Sequence, residues 1–415
     1  MKLHIEQNNL ISGSVNISGA KNSAVAVIPA ATLTNDLVTL KNIPNIKDVE
    51  VLIEILKKQG FKTSFSNNTL KIKRKLFIKK TFSNNVSHLR GSIYFIGAFL
   101  SKYKKIKLNY IGGCNLGKRP IDYHINAFKQ MGYIDFSSSN TINLKKGVTK
   151  SAAITLKTQS LGATINIMLA SVLTKKTTTI ILNASIEPEV IDTGNFLIQM
   201  GANIKGLGTS RIEITGVKKL HGCTYEIIND RIEAGTYLAI GSLPNSKGVT
   251  VIGANHNHLK SVLKTLEDMG CILNIAESKI TIFPPEKIKG VNITTSPYPG
   301  FPTDLNPIFA ALLINAEGNS SITETIFENR ISHINEFKKL GVNITSKDNR
   351  TIIRGITPLK SNNITAYDLR CAAGLILASL QTNCDITISD IDYLFRGYEN
   401  PVEKLNNLNI KSSLE

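Results

Sequence analysis

The apolar positions of this chain recur in a repeated helical phrase. The phrase has the form apolar-x-x-apolar-Gly, and its copies lie 68 to 72 residues apart along the sequence. Each copy predicts an amphipathic helix that closes on a residue tolerant of the left-handed conformation and is followed by an alternating strand. Six units of one kind are therefore predicted. The copies end at Gly60, Gly132, Gly201, Gly270 and Gly341, and a decayed sixth copy ends at Asn409.

A second helix, rich in small and apolar residues, precedes each phrase. Because these helices are apolar almost all round, we expect them to be buried. They are predicted at residues 24–33, 93–100, 164–173, 235–243, 307–314 and 372–380.

Polar residues gather at the predicted N-termini of the apolar helices. Ordinary N-capping accounts for Ser160, Asp230 and Asp304. It does not account for Lys21, Arg90 and Arg370, because cations at a helix N-terminus oppose the macrodipole. Helix N-termini bind anions readily. The three cations therefore predict an anionic ligand.

The chain has 415 residues, 42% of them hydrophobic, and a formal net charge of +18. This length allows two domains with substantial cores. The basic residues are spread along the chain except around 71–80 and 102–107, and each of those two stretches has a single aromatic residue, without the interleaving of aromatic and basic residues that stacks bases. We therefore expect an anionic small-molecule substrate on a solvated basic surface, and no nucleic acid.

No apolar run reaches the roughly 20 residues that a membrane-spanning helix needs. The N-terminal sequence MKLHIE has neither the apolar core nor the cleavage site of a signal peptide. We expect a cytoplasmic protein with no membrane partner.

The cysteines Cys114, Cys223, Cys271, Cys371 and Cys384 are odd in number, scattered and without metal-ligand spacing. Neither a disulfide framework nor a zinc site is expected. Cys114 differs from the others because it lies in a glycine-rich loop, just before Lys118 and Arg119. Nearby positive charge lowers the pKa of a thiol. On the residues alone, Cys114 is either a reactive thiol or an ordinary loop residue.

Seven short phrases resemble, in order, those of the UDP-N-acetylglucosamine 1-carboxyvinyltransferases of the enolpyruvyl transferase family. They run over essentially the whole chain and keep register with the six units. They are SGAKNS at 18–23, GGCNLGKRP at 112–120, EPE at 187–189, FPTD at 301–304, FENR at 327–330, DLR at 368–370 and RGY at 396–398.

The resemblance implies an α/β fold of two inside-out domains, each of three units with buried helices and outer sheets. Residues 1–20 and 229–415 would form a discontinuous domain that carries the sugar and carboxylate side of the site. Residues 21–228 would form an inserted domain that carries the cysteine loop. Because the matched residues divide between the domains, the resemblance also implies a site completed by closure around anionic substrates.

The implied activity is transfer of the enolpyruvyl group of phosphoenolpyruvate to the 3-hydroxyl of UDP-N-acetylglucosamine. The reaction would proceed by addition and elimination and release phosphate. It would be the first committed step of peptidoglycan synthesis. No cofactor or metal is expected, because cations would hold the phosphate and carboxylate. A monomer acting on these two small molecules is expected.

The family's roles fall on matching positions of this chain. Cys114 would be the general acid that protonates C3 of phosphoenolpyruvate, and Asp304 would be the base for the sugar hydroxyl. Lys21, Arg119 and Arg396 would clamp the phosphate, while Arg330 and Arg370 would hold the carboxylate side. The nucleotide pocket would be lined by Asn22, Arg90, Arg119, Pro120, Ile121, Asp122, Tyr123, Ser160, Leu161, Gly162 and Ile326.

Three positions remain open at this level. His124 lies either in the pocket or in solvent. Phe395 stands where the family usually has an acidic residue, so a partner of Arg396 is expected to be missing. Thr158 stands where a lysine is common, and a diphosphate contact would be lost or moved to Lys157.

Two alternatives accompany this interpretation. The sister enzyme that acts on shikimate 3-phosphate shares the six units, but Cys114 and the FPTD phrase argue against it. A non-catalytic binding relative is the other alternative, and Phe395 is the observation in its favour.

Overall fold

In the computed structural model, the described residues are 1–7, 10–82, 90–109, 121–328, 330–356, 358–360 and 363–415. Within these ranges, helices and strands alternate along the whole chain.

Apolar and amphipathic helices alternate in this part of the chain, as the sequence predicts. The α-helices are α1 (Lys21–Ala30), α2 (Lys47–Gln59), α3 (Tyr94–Tyr103), α4 (Asp122–Gln130), α5 (Leu161–Ser171), α6 (Pro188–Gln199), α7 (Arg231–Gly241), α8 (Lys260–Asp268), α9 (Asn306–Leu312), α10 (Ser332–Lys339), α11 (Leu369–Ser379) and α12 (Pro401–Asn406). The odd-numbered helices are the apolar ones, and α7, α9 and α11 are buried at every position.

The even-numbered helices carry the repeated phrase. In α2, for example, Val49, Leu52 and Leu56 are buried, whereas lysines occupy the exposed positions of the last turn. The residue that closes each phrase has a positive φ, between 59° at Asn409 and 101° at Gly60. The predicted left-handed helix ends are thereby confirmed at all six sites, including the decayed one.

The strands are short. They are β1 (Lys2–Ile5), β2 (Ile11–Asn16), β3 (Val38–Lys41), β4 (Phe61–Ser66), β5 (Thr69–Arg74), β6 (Lys105–Asn109), β7 (Tyr133–Asp135), β8 (Thr141–Lys146), β9 (Ala152–Thr155), β10 (Thr178–Leu182), β11 (Asn203–Lys205), β12 (Arg211–Thr215), β13 (Thr224–Glu226), β14 (Ser246–Ile252), β15 (Ile272–Ala276), β16 (Lys279–Phe283), β17 (Asn292–Thr294), β18 (Asn319–Thr323), β19 (Asn343–Lys347), β20 (Arg350–Arg354), β21 (Ile364–Thr365), β22 (Ile386–Ser389) and β23 (Ser412–Leu414).

Among the described residues these strands form six sheets, one for each predicted unit. Their strand orders are β13-β3-β5-β4, β6-β8-β7, β11-β12-β10-β9, β15-β16-β14-β2, β17-β18-β20-β19 and β21-β22-β1-β23. Each four-stranded sheet joins one parallel pair to antiparallel neighbours. One face of a typical strand is buried and the other exposed, as Ile280 and Ile282 of β16 show. Buried apolar helices and one-sided sheets confirm the predicted α/β class.

The chain divides into two units with separate apolar cores. The discontinuous unit contains residues 1–18 and 229–415, and the inserted unit contains the described residues from 19 to 228. The N-terminal segment belongs to the discontinuous unit because β1 pairs with β22 and β23, and β2 pairs with β14.

A buried ion pair holds the N-terminal segment where it leaves the discontinuous unit. The backbone N–H of Ser18 donates to Oε2 of Glu233 at 2.8 Å. Lys404 Nζ donates to Oε1 of Glu233 at 2.7 Å and to Oγ of Ser18 at 2.6 Å. Burial raises the pKa of Glu233 to about 7, although the charge of Lys404 opposes that shift.

In the inserted unit, α3 and α5 approach closely at Gly97. The Gly97 N–H donates to Oδ1 of Asn166 at 2.7 Å. Asn166 Nδ2 donates to the carbonyl of Ile93 at 2.9 Å and contacts Nδ1 of His124 at 3.0 Å. A Cβ atom on Gly97 would lie 2.3 Å from the carbonyl oxygen of Asn166 and 2.5 Å from its side-chain oxygen. This helix contact therefore depends on the absence of a side chain.

We expect Gly97→Ala to destabilise the protein by about 1–3 kcal/mol, because the added methyl forces the two helices apart. Intrinsic helix propensity alone would favour alanine by about 1 kcal/mol, so the sign of the change is diagnostic. Urea unfolding measures it. Gly318→Ala is the control: its φ is 80° and no atom lies within 4 Å of the added Cβ, so backbone strain alone should cost about 1 kcal/mol. An unchanged or higher stability of Gly97→Ala would contradict the close approach.

Candidate active site

Asp304 lies between two arginines in the discontinuous unit. It belongs to the short 3-10 helix Thr303–Leu305. Its Oδ1 accepts a hydrogen bond from Nη1 of Arg330 at 2.7 Å, and its Oδ2 accepts one from Nη2 of Arg370 at 2.8 Å. The expectation that Asp304 acts as an ordinary N-cap was wrong, because the guanidinium groups bind both of its carboxylate oxygens. Leu305 precedes α9 without a side-chain cap.

The two arginines determine the protonation of Asp304. Burial alone would raise the pKa of this carboxyl, but the charges and hydrogen bonds of Arg370 and Arg330 outweigh burial and hold the pKa far below its usual range. The side chain of Asp304 is still 24% exposed. Asp304 is therefore an accessible but fully neutralised carboxylate and, with these partners, a weak base.

Each arginine has its own supports. Arg370 lies in the first turn of α11, where Asp368 caps the helix by accepting from the backbone N–H groups of Arg370 and Cys371. Its guanidinium lies over the Tyr398 ring, and its Nη1 donates to the Tyr398 hydroxyl at 3.5 Å. Thus Arg370 and the RGY phrase, which ends at Tyr398, meet in this unit.

Arg330 is supported differently. Its guanidinium lies 5.0 Å from the ring centre of Phe327. Within the described residues its buried Nε has no hydrogen-bond acceptor. Arg330 therefore has one buried donor without an acceptor in the described part of the chain.

His333 is a buried group behind Arg330 that sequence reasoning missed. It lies on α10 with 1% exposure, and neither ring nitrogen has a hydrogen-bond partner in the described part of the chain. Burial lowers the pKa of His333 to about 4; the Arg330 charge acts in the same direction and that of Asp368 opposes it. A lone histidine in a helix gives no sequence signal that would have identified it.

Lys21 begins α1 in the inserted unit, as predicted. Its Nζ forms an ion pair with Oδ2 of Asp48 at 2.9 Å, and both side chains are largely buried. Asn22 follows at the next helical position and is partly buried. The predicted cation at this helix N-terminus is therefore present, and a carboxylate from α2 neutralises part of its charge.

The start of α4 and the start of α5 bring most of the predicted nucleotide-pocket residues together. Ile121 is buried, Asp122 begins α4, and the Tyr123 hydroxyl accepts from Oγ1 of Thr158 at 3.4 Å. Ser160 caps α5 by accepting from the N–H of Ala163, and Leu161 and Gly162 form its first turn. Lys157 is exposed beside Thr158.

His124 is buried, with 5% exposure, so the solvent alternative was wrong. The N–H of Gly97 fixes the orientation of the Asn166 amide, and the amide nitrogen can only donate. Nδ1 of His124 therefore accepts, and its proton lies on Nε2. A Cβ atom on Gly162 would lie 3.8 Å from that Nε2, so His124 lies against the first turn of α5.

The remaining predicted residues are placed only in part. Cys114, Arg119 and Pro120 lie outside the described residues, and Arg90 is described only by its backbone, at the start of the 3-10 helix Arg90–Ile93. Ile326 is 37% exposed, and its N–H donates to Oε1 of Glu324. Phe395 packs against the core of the discontinuous unit, next to Arg396.

Two further observations concern ligands and membranes. Within the described ranges, no three His, Cys, Asp or Glu side chains group closely enough to hold a metal ion. No helix in the same ranges combines the length and apolar character that crossing a bilayer requires.

Comparison with known proteins identifies the family and the fold. Residues 5–405 match the family model of EPSP synthase (3-phosphoshikimate 1-carboxyvinyltransferase). Solved structures share the fold. The enolpyruvyl transferase NikO from Streptomyces tendae has a TM-score of 0.89 at 24% identity, with 99% of this chain and 98% of that chain covered. EPSP synthase from Acinetobacter baumannii has a TM-score of 0.77 at 18% identity, with 100% of both chains covered. The chain belongs to the enolpyruvyl transferase family.

The curated relatives are more specific. A UDP-N-acetylglucosamine 1-carboxyvinyltransferase 2 from Listeria monocytogenes serotype 4b is 42% identical over 98% of this chain and 96% of its own length. UDP-N-acetylglucosamine 1-carboxyvinyltransferase from Thermotoga maritima is 38% identical over 99% of this chain and 98% of its own length. These relatives confirm the resemblance drawn from the seven phrases.

The pKa of His333 predicts acid sensitivity. A histidine whose pKa is lowered by folding binds its proton more readily in the unfolded chain, so stability falls as the pH drops from about 6.5 to about 4. That shift corresponds to about 3 kcal/mol. We expect His333→Leu, which removes no hydrogen bond made by the described residues, to lose correspondingly less stability than wild type between pH 7 and pH 4. Urea unfolding at both pH values measures the difference, and identical losses in the two proteins would contradict the lowered pKa.

Proposed function

We propose that this chain transfers the enolpyruvyl group of phosphoenolpyruvate to the 3-hydroxyl of UDP-N-acetylglucosamine and releases phosphate, the first committed step of peptidoglycan synthesis. The observation that carries the proposal is the carboxylate of Asp304 held between two guanidinium groups. The full-length relatives supply the substrates, because they are named for this reaction. The proposed enzyme works in the cytoplasm as a monomer.

Asp304 becomes an effective base once a substrate anion shares its arginines. Arg330 and Arg370 neutralise Asp304 without substrate, and they are also suited to bind a carboxylate through parallel hydrogen bonds. The carboxylate of phosphoenolpyruvate therefore competes with Asp304 for both groups. As it takes them over, the pKa of Asp304 rises, and Asp304 accepts the proton of the sugar hydroxyl.

Lys21 follows the same principle in the inserted unit. The ion pair with Asp48 keeps its charge compensated when no ligand is bound. The phosphate of phosphoenolpyruvate would become a further partner of Lys21, and Arg119 and Arg396 would bind the same phosphate. Cys114 would deliver the proton to C3, and the elimination step would return it.

The distribution of charge supports a strongly anionic substrate pair. The sequence contains no Asp or Glu from residue 55 to residue 121, but sixteen Lys and Arg, among them Arg90, Lys118 and Arg119. A region with one sign of charge raises the local concentration of oppositely charged ligands. Both proposed substrates carry several negative charges.

We expect purified protein to release inorganic phosphate only when phosphoenolpyruvate and UDP-N-acetylglucosamine are both present, and without added divalent metal. A colorimetric phosphate assay with mass spectrometry of the products measures this. Shikimate 3-phosphate is the control acceptor. Equal or faster release with it would overturn the assignment, and release with neither acceptor would favour a non-catalytic relative.

The thiols provide a second test. Burial raises the pKa of Cys371 to about 12 and also raises the pKa of Cys223 and Cys271, so these thiols stay protonated and unreactive. We expect the epoxide fosfomycin, which carries an anionic phosphorus group, to alkylate Cys114 first. Peptide mapping identifies the adduct.

Cys114→Asp should resist fosfomycin and keep some activity, because a carboxylic acid can still deliver a proton. An adduct mainly on Cys223 or Cys271 would contradict the role of Cys114.

A further inference from the structure

The buried carboxylate of Glu324 connects three separate segments of the discontinuous unit, one of which contains Asp304. Glu324 follows β18 and is 7% exposed. Its Oε1 accepts from Oγ1 of Thr295 at 3.0 Å and from the N–H groups of Ile326 and Phe327 at 2.9 and 3.1 Å. Its Oε2 accepts from Oγ1 of Thr303 at 2.9 Å and from Nδ2 of Asn306 at 2.8 Å.

These donors flank the charged groups of the site in sequence. Thr303 precedes Asp304, and Asn306 follows it at the start of α9. Phe327, whose ring lies under the guanidinium of Arg330, is held through its backbone N–H. Glu324 therefore fixes both the backbone that carries the base and the loop that carries one of the arginines.

All five donors are neutral. Hydrogen bonds from neutral groups to a charged one are stronger than neutral pairs, and five of them converge on the two oxygens of Glu324. No arginine or lysine neutralises Glu324 in these contacts, so the arginines remain available to Asp304. Glu324 therefore binds the neutral groups of the neighbouring backbone segments, whereas Asp304 binds the arginines.

We propose that Glu324 is a positioning residue for the transfer reaction: it fixes Asp304 and Arg330 relative to each other without touching substrate. This inference rests on the proposed function. A displacement of about 1 Å at a reacting group is enough to reduce a rate by about 100-fold. The role therefore predicts a loss in kcat that is larger than the loss of stability explains.

Glu336 offers a matched control. It is also a buried glutamate of the discontinuous unit, with 1% exposure on α10. Its carboxylate accepts from Nζ of Lys339 and from the N–H of Thr365, and neither donor adjoins Asp304 or Arg330 in sequence. Glu336→Ala thus removes a buried carboxylate whose donors, Lys339 and Thr365, are not those that bind Glu324.

The first experiment compares steady-state kinetics and urea unfolding of wild type, Glu324→Ala, Glu324→Gln and Glu336→Ala. All proteins are assayed at a temperature where unfolding shows them to be folded. We expect Glu324→Ala to lower kcat by about 100-fold and Glu336→Ala to leave it within about twofold. Comparable kcat losses in the two alanine variants would overturn the proposal.

Glu324→Gln tests rescue by a conservative change. The backbone N–H groups of Ile326 and Phe327 require an acceptor, so the glutamine oxygen must face them. Its amide would then face Thr303, whose hydroxyl can rotate, and Asn306, whose Oδ1 has no partner among the described residues and can be presented by an amide flip. We expect glutamine to restore most of the activity lost in Glu324→Ala. No restoration would show that negative charge, and not hydrogen-bond geometry, is what the reaction requires.

A second measurement needs no substrate, so it remains valid even if the proposed function fails. The carbon-13 carboxyl signal of Asp304, assigned by its loss in Asp304→Asn, should not titrate between pH 3 and pH 7 in wild type or Glu336→Ala. In Glu324→Ala, Arg330 and Asp304 lose alignment, and the signal should titrate within that range. An unchanged titration overturns the positioning role. An inactive wild type with the expected titration overturns only the proposed reaction.

Discussion

The arrangement around Asp304 follows from one constraint: a charged group that is largely buried is destabilising unless an opposite charge lies beside it. Arg330 and Arg370 are largely buried, and desolvated guanidinium groups require a nearby anion. Asp304 supplies it. The same carboxylate pairs with both cations and holds its own pKa far below the usual range, so the three side chains keep a net positive charge. Among the described residues, the Nε of Arg330 has no acceptor. The charge of this site thus follows from three side chains on three separate segments.

A site whose cations already have carboxylate partners responds to an anion by exchange, because the ligand replaces a partner that is already present. Lys21 with Asp48 follows this pattern in the inserted unit, and the two arginines with Asp304 follow it in the discontinuous unit. The same ion pairs that stabilise the cations also compete with an anionic ligand for them. In the proposed reaction, Asp304 would be released for proton transfer only when an anion takes its place.

The sequence predicted features that local chemistry determines. Gly60 and Asn409 close helices because the left-handed conformation excludes most other residues, and the apolar helices follow from composition alone. The ordinary capping role that the sequence also allowed for Asp304 was wrong, because its actual partners lie 26 and 66 residues away. Glu324 was missed for the same reason: its role depends on where the fold brings Thr295 and Asn306. The substrate roles came from resemblance and remain proposals.

Each unit also contains a buried polar side chain whose chemistry suits what it holds. Asn166 both donates and accepts, and it connects Gly97, Ile93 and His124 across three elements of the inserted unit. Glu324 only accepts, and it collects five donors in the discontinuous unit. An amide fits where donors and acceptors must both be satisfied, whereas a carboxylate fits where only donors converge. The five donors to Glu324 are neutral, so this carboxylate holds the segments beside Asp304 and Arg330 while the two arginines bind Asp304.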